Sequence, residues 1–326
     1  MHNLRMWFGS LLAALVAGIP APAPAQQWPT RNIVFVVPYA PGGNVDVSAR
    51  ILQSGIGNAL GQSVVVENRT GAGGTIAGDY VARSEPDGHT IFVGSNGPVM
   101  LGPMTMAKSP YRWDQVFAPV GMLAVATNML TVRPNFPAGS VAELVAYAKA
   151  APGKLTVGNS GGASINHFMG ELFKIEAGIT WAEVSYRGNA PAINDLVAGH
   201  VDMGLQQLVD TLSHVQAGKL KALAVLGPKR TPALPDVPTM AEAGYPKVQG
   251  VTWNGLFAPK ATPQAIVERL SAAVRTALET SAIKDKLAAL GSEARPGTSA
   301  EFLAFLLADN AKWAEVMKQA NIKVTE

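Results

Sequence analysis

The sequence predicts an α/β fold in two domains, and three observations predict it. Short apolar runs alternate with amphipathic segments along most of the chain. The first run, Ile33-Val34-Phe35-Val36-Val37, is continuously apolar rather than alternating, as strands covered on both faces are. Beyond a leader-like N-terminus there remain about 300 residues, enough for two domains of ordinary size.

The elements follow in two sets. In the first, the strand 33–37 leads to a helix over 45–60, a strand at 64–66, a helix over 75–82 and a strand at 90–93. Strand–helix–strand order of this kind argues for an α/β layer structure. The second set opens with a strand at 129–132. A helix over 140–150 comes next, with Ser140 as N-cap and Glu143 completing a capping box. Then come a strand at 155–157, a helix over 164–175, a strand at 183–186, a helix over 190–198 stopped by Gly199, and a strand at 220–226. Pro228, Pro232, Pro235 and Pro238 mark a long surface crossover. A strand at 251–253 and helices over 263–280, 283–290 and 299–319 close the chain. This last block has too few strands for a sheet of its own, so it is expected to return to the first. The expectation is a discontinuous domain, 26–127 plus 249–326, and a second domain, 128–248. Each is a mixed, mainly parallel sheet flanked by helices, with a ligand cleft between them.

The N-terminus and the composition narrow the function. Arg5 precedes an uncharged apolar run over 6–19, and small residues follow at Ala23 and Ala25. That is the pattern of a secretory signal, with cleavage expected after Ala25. The run is too short for a membrane span and breaks at Pro20. The first residue after the cut is Gln26, which offers no thiol for a lipid anchor. A net charge of +3 with no dense basic run argues against a nucleic-acid surface. There is no cysteine, so thiolate metal sites and cysteine nucleophiles are excluded. The five histidines show no metal-ligand spacing, and Gly71-Ala72-Gly73-Gly74 lacks the third glycine of a dinucleotide turn because Ile76 stands there. No cofactor and no metal are expected.

Three motifs remain. Pro38-Tyr39-Ala40-Pro41-Gly42-Gly43-Asn44 follows the first strand and opens a helix. Its glycines let the backbone approach a ligand, and the unpaired N–H groups at the helix start suit a carboxylate. A tight turn with no ligand is the equal alternative. Gly158-Asn159-Ser160-Gly161-Gly162 matches the nucleophile elbow of serine hydrolases. The acid-then-histidine order of that class is missing, since His167 comes too early and nothing marks His200 or His214. The turn reads better as a second anion site, with Ser160 and Ser164 offering hydroxyls and Ser164 capping the helix. Third, Tyr186 and Arg187 stand at a strand end, where open α/β sheets bind ligands, and Arg187 suits a carboxylate. A solvated surface arginine is the alternative there.

Taken together, Val37-Pro38-Tyr39-Ala40-Pro41-Gly42-Gly43 with Asp46 and Arg50, Glu67-Asn68-Arg69, Tyr186-Arg187-Gly188, Gly199 with Val201-Asp202, Ala217-Gly218-Lys219-Leu220, Leu234-Pro235-Asp236-Val237-Pro238-Thr239 and Gly255-Leu256-Phe257-Ala258-Pro259 resemble the Bug family. These are extracytoplasmic solute receptors of tripartite tricarboxylate transporters. The resemblance implies a type II-like periplasmic binding protein, not an enzyme, that closes on a mono- or dicarboxylate. It implies contacts from Tyr39, Gly42, Gly43 and Asn44 on one side and Ser160, Gly161 and Ser164 on the other, with Tyr186 and Arg187 nearby. The implied partners are the large and small membrane subunits of the transporter, and a monomer suits the mechanism. Three departures from the family pattern stand out. The segment 95–103, which carries Asn96, differs and is expected to reshape the cleft wall. Ser185 replaces a common proline. Gln206-Gln207 replaces an acidic residue followed by Asn, which would favour a more anionic ligand if Gln206 faces the cleft. Asn96 and Gln206 complete the candidate contacts.

Overall fold

The computed structural model describes residues 28–161, 164–186 and 188–322. The expected signal sequence and the expected cut after Ala25 lie outside the described residues. The first set of elements is β1 (Ile33–Val37), α1 (Asn44–Leu60), β2 (Val64–Asn68), α2 (Thr75–Ala82) and β3 (Thr90–Ser95). A wide helical turn at Gly97–Leu101 runs into the short α3 (Gly102–Thr105) and then α4 (Trp113–Val116). β4 (Phe117–Val132) carries the chain into the second set: α5 (Val141–Ala150), β5 (Thr156–Asn159), α6 (Ile165–Ala177), β6 (Ala182–Ser185), α7 (Asn189–Ala198), β7 (Met203–Gln207), α8 (Leu208–Gln216) and β8 (Lys221–Val225). The return segment holds β9 (Val251–Pro259), α9 (Gln264–Glu279), α10 (Ser281–Ala289), β10 (Ser292–Ala294) and α11 (Ser299–Gln319).

β1 is covered on both faces, and its side chains divide by parity. Ile33, Phe35 and Val37 pack with Ala49 and Leu52 of α1 and with Leu270 and Val274 of α9. Val36 points the other way, into a core with Ala77, Val81, Phe92 and Val99. α1 buries Val45, Ala49, Leu52, Ile56 and Leu60, the spacing of one helical face. It ends at Gly61, whose φ of 72° closes the helix with its N–H on the Gly57 carbonyl.

The sheet is mixed. β1 pairs in parallel with β2 and β3, and β5 pairs in parallel with β6 and β7. Between these ends, β9 runs antiparallel to β3 and β4, and β4 runs antiparallel to β7, β8 and β10. In the C-terminal block, β9 pairs with β3 and β4, and β10 pairs with β4.

β4 is the element that joins the two parts. Up to Thr127 it pairs with β9, and from Asn128 onward it pairs with β7. The sequence pattern predicts only its last four residues, and Pro119 and Gly121, residue types that interrupt strands, lie in the remainder. The structure accommodates both, with register shifts between Pro119 and Gly121 and between Met122 and Ala124. Pro119 has no N–H to give, but its carbonyl accepts from Ser299 Oγ at the start of α11. Ser140 caps α5 as expected, accepting from the Glu143 N–H. The Glu143 carboxylate, however, takes the Gly139 N–H instead of completing the reciprocal box.

Candidate functional site

A cavity of about 740 Å³ opens between the β1–α1 turn on one side and the starts of α6, α7 and α8 on the other. That size and position suit a small-molecule site.

The β1–α1 wall is braced by one carboxylate. Asp46 accepts from the Gly42 N–H (2.9 Å), Arg50 Nε (3.0 Å) and Asn68 Nδ2 (2.8 Å). Burial pushes its pKa up, but these donors outweigh burial and hold it below the usual carboxylate range. Asn68 also donates to the Tyr39 carbonyl, so the turn is tied at both ends. The helix N-cap is Gly43, extended at φ −75° and ψ 164° and without a side-chain cap. The first N–H groups of α1 have no intrahelical acceptor, and Gly43, Asn44 and Val45 line the cavity. A Cβ on Gly43 would meet only the Ala40 carbonyl, at an ordinary 3.7 Å. Asn44 is held by Asn254 and Ser48, both donating to its Oδ1, and turns its Nδ2 to Gln207 Oε1 at 2.8 Å across the cavity. Tyr39 also lines the cavity, and burial raises its phenol pKa against an opposing hydrogen bond from Ser95.

The opposite wall is built from neutral groups and two further helix starts. Ser164 caps α6, accepting from the His167 N–H and donating to the Gly161 carbonyl at 2.6 Å. Asn159 holds the turn through its Oδ1, which takes the Gly161 N–H and the Ser185 hydroxyl. Ser160 Oγ accepts from Asn166 Nδ2 at 3.2 Å, which leaves its own proton for a ligand. An amide cannot act as a base, so among the described residues Ser160 is shown with no base to activate it. His167 sits 3.5 Å from Glu171, and Lys174 bridges Glu171 and Glu183, so an ammonium already fills that acidic cluster.

Of the residues expected from sequence, Tyr39, Gly42, Gly43, Asn44, Asn96, Ser160, Gly161 and Ser164 line the cavity. Asn96 does so while pinned in the wall. It is 1% exposed, accepts from the Trp253 N–H and donates to the Val251 carbonyl and to Asp309. Tyr186 does not line it. Its hydroxyl donates to Asp195 at 2.6 Å, and burial together with that carboxylate pushes its pKa up to about 12. Gln206 does not face it either. It is 1% exposed, with its amide between the Gly158 carbonyl and Thr131. The next residue, Gln207, reaches the cavity, as alternation along a strand demands. Arg187 lies outside the described residues.

Sequence reasoning missed the α7 and α8 contributions. Gly188, at φ 114°, starts α7 with no side-chain cap and brings Asn189 and Ala190 to the cavity. Asp210 and His214, one turn apart on α8, line it as well. Among the described residues no Lys or Arg lines the cavity, so an anion there would be held by N–H groups, hydroxyls and helix dipoles.

Comparison with known proteins agrees with this architecture. The chain is 35% identical to the protein BugT of Bordetella pertussis over 99% of both chains. Among solved structures, the R. palustris protein Rpa4515, determined with adipate, superposes with a TM-score of 0.83 at 35% identity, covering 91% of this chain and 99% of that one. MatC from Rhodopseudomonas palustris, with bound malate, gives a TM-score of 0.79 at 35% identity over 89% and 99%. These likenesses are to solute-binding receptors, not enzymes. Residues 48–322 match the model of the tripartite tricarboxylate transporter family receptor, and the chain belongs to that family.

Proposed function

We propose that this chain is an extracytoplasmic receptor that captures a small carboxylate in the cavity and delivers it to the large and small membrane subunits of a tripartite transporter. The observation that carries the reading is the meeting of uncapped helix starts, those of α1 and α7, with the capped start of α6 around one cavity. Each supplies N–H donors and partial positive charge, and no fixed cation among the described lining residues is needed. Relatives of similar length and fold that hold adipate and malate support the same ligand chemistry. Capture proceeds by closure about the segment where β4 changes partners, between residues 127 and 128, and about the return crossing near 248–249. A ligand gripped from both sides favours the closed form by its differential affinity. The closed monomer is what docks on the membrane subunits. Export by the signal sequence, with cleavage after Ala25, places the protein where that docking happens. In keeping with this, no helix among the described residues is long and apolar enough to cross a membrane.

The test is a thermal-shift screen of protein beginning at Gln26, unfolded and refolded to strip carried-over ligand. A specific carboxylate at a hundred times its Kd stabilises by about 2.7 kcal/mol and raises the melting temperature visibly. Hits confined to uncharged amides or sugars would overturn the anion reading.

A further inference from the structure

Asp210 is the feature of the cavity that a plain carboxylate site leaves unexplained. It is the carboxylate that lines the cavity among the described residues, and none of their cationic side chains pairs with it. An acid in the first turn of a helix suits the dipole, but such acids are ordinarily solvated. This one is turned toward α7, where its Oδ2 accepts from Asn189 Nδ2 at 2.7 Å. Burial raises its pKa, only partly offset by that hydrogen bond.

The hydrogen bonds beyond Asp210 have a fixed direction. An ionised carboxylate only accepts. Asn189 must therefore give Asp210 its amide N–H and turn its carbonyl to Asn166, whose Nδ2 donates to it at 2.8 Å. The same Nδ2 group serves Ser160 Oγ. Asn166 Oδ1 is left with no donor, in a cavity-lining residue only 4% exposed. A buried acceptor left unpaired costs about 1–3 kcal/mol. The acceptor that this wall offers to the cavity is the Asp210 carboxylate, while the Asn166 carbonyl is buried within the wall. His214, one turn beyond Asp210, and Tyr39 are the other titratable residues that line the cavity among the described residues.

We infer that Asp210 forms a subsite for a donor group, so that the ligand is a carboxylate carrying an amino group rather than a dicarboxylate. The inference rests on the carboxylate reading above, with the helix starts holding the one anionic end. An ammonium brings three donors and a charge opposite to Asp210. A second carboxylate in the same place brings no donor and a like charge, which disfavours the wrong ligand strongly.

The experiment is calorimetric titration of stripped, refolded protein with matched sets: adipate, ε-aminocaproate and caproate, then succinate, γ-aminobutyrate and butyrate. The amino member of a set should bind at least about tenfold more tightly than its dicarboxylate partner. Asp210→Asn should erase or invert that ratio. The wild-type ratio is itself a test, should the variant fold poorly. Dicarboxylates binding as tightly as amino carboxylates, with a ratio that Asp210→Asn leaves alone, would overturn the subsite and leave the carboxylate receptor standing. Indifference to the carboxylate end in every set would overturn both.

Discussion

Two walls of one cavity each carry an aspartate, and the protein treats them in opposite ways. On the β1–α1 wall, Asp46 is buried beside Arg50, Asn68 and the Gly42 N–H, and its pKa is held down. On the α8 wall, Asp210 has only the Asn189 amide, and burial raises its pKa. The first carboxylate serves structure. It uses its own charge in shaping a turn and leaves the α1 start free for an outside anion. The second pairs with no cation among the described residues, and burial raises its pKa, the direction in which an ionised carboxylate opposes folding. Groups that lower stability without structural gain are characteristic of functional positions.

Gly43 tests the braced wall most severely. A side chain there is compatible with the extended backbone and meets no close atom, so the space it takes is that of the cavity Gly43 lines. Gly43→Val should leave the melting temperature of ligand-free protein within a degree or two and weaken carboxylate binding by about a hundredfold, ~2.7 kcal/mol. Calorimetry on the folded variant decides it, and unchanged affinity would remove the α1 start from the site.

Asp46→Asn comes next and separates the two aspartates. It leaves Arg50 and the Gly42 N–H facing an uncharged amide, and should cost about 2 kcal/mol in urea unfolding at pH 7. Because the folded pKa is depressed, the stability that the carboxylate confers is present above its unfolded value of about 3.9 and is lost as pH falls through the folded value. The gap between wild type and variant should therefore close below about pH 4.

The two walls also differ in how much of them can be read in the sequence. The β1–α1 turn is legible because its function needs unusual residues. Pro41, Gly42 and Gly43 between an apolar strand and a helix mark a place where the backbone must turn sharply and stay bare. Ser164 is legible for a similar reason, as a cap residue before an amphipathic run. Asp210 has no such mark. Its helix follows β7 directly, begins at Gln207 without a side-chain cap, and presents an acid like any first-turn acid. Gln206 and Gln207 show the limit in its simplest form. Alternation says that only one of two neighbours faces the cavity, but parity is set by the pairing of β7 with β4 and β5, which local pattern does not reveal. The long β4 is hidden by Pro119 and Gly121, tolerable only because bulges and the Ser299 contact absorb them.

Asp210→Asn should act in the opposite direction from Asp46→Asn, and by less. The amide keeps a hydrogen bond to Asn189 and removes a part-buried charge that no cation among the described residues pairs with. A raised folded pKa means that the penalty is absent below the unfolded value of about 3.9 and grows as pH rises through the folded value. The ligand-free variant should melt slightly higher than wild type at pH 7 and identically near pH 3. A lower melting temperature at pH 7 would mean that Asp210 is structural after all, and the contrast between the walls would fail.

The smallest effect concerns the bond that joins the walls. Asn44 is oriented by Asn254 and Ser48, so its Nδ2 meets Gln207 as a prepared partner rather than as a flexible surface amide. Gln207→Ala removes a single neutral hydrogen bond, about 1 kcal/mol, between an element of the first set and an element of the second. If the two walls move relative to one another, that energy belongs to the closed form alone. Affinity should then fall about fivefold through a smaller closed population, with the contacts to the ligand unchanged. Small-angle scattering should show a larger radius of gyration for the empty variant than for the empty wild type, and equal radii once both are saturated with a carboxylate. Equal radii in both conditions, with the same loss of affinity, would instead make Gln207 a direct ligand contact and the walls a fixed pair.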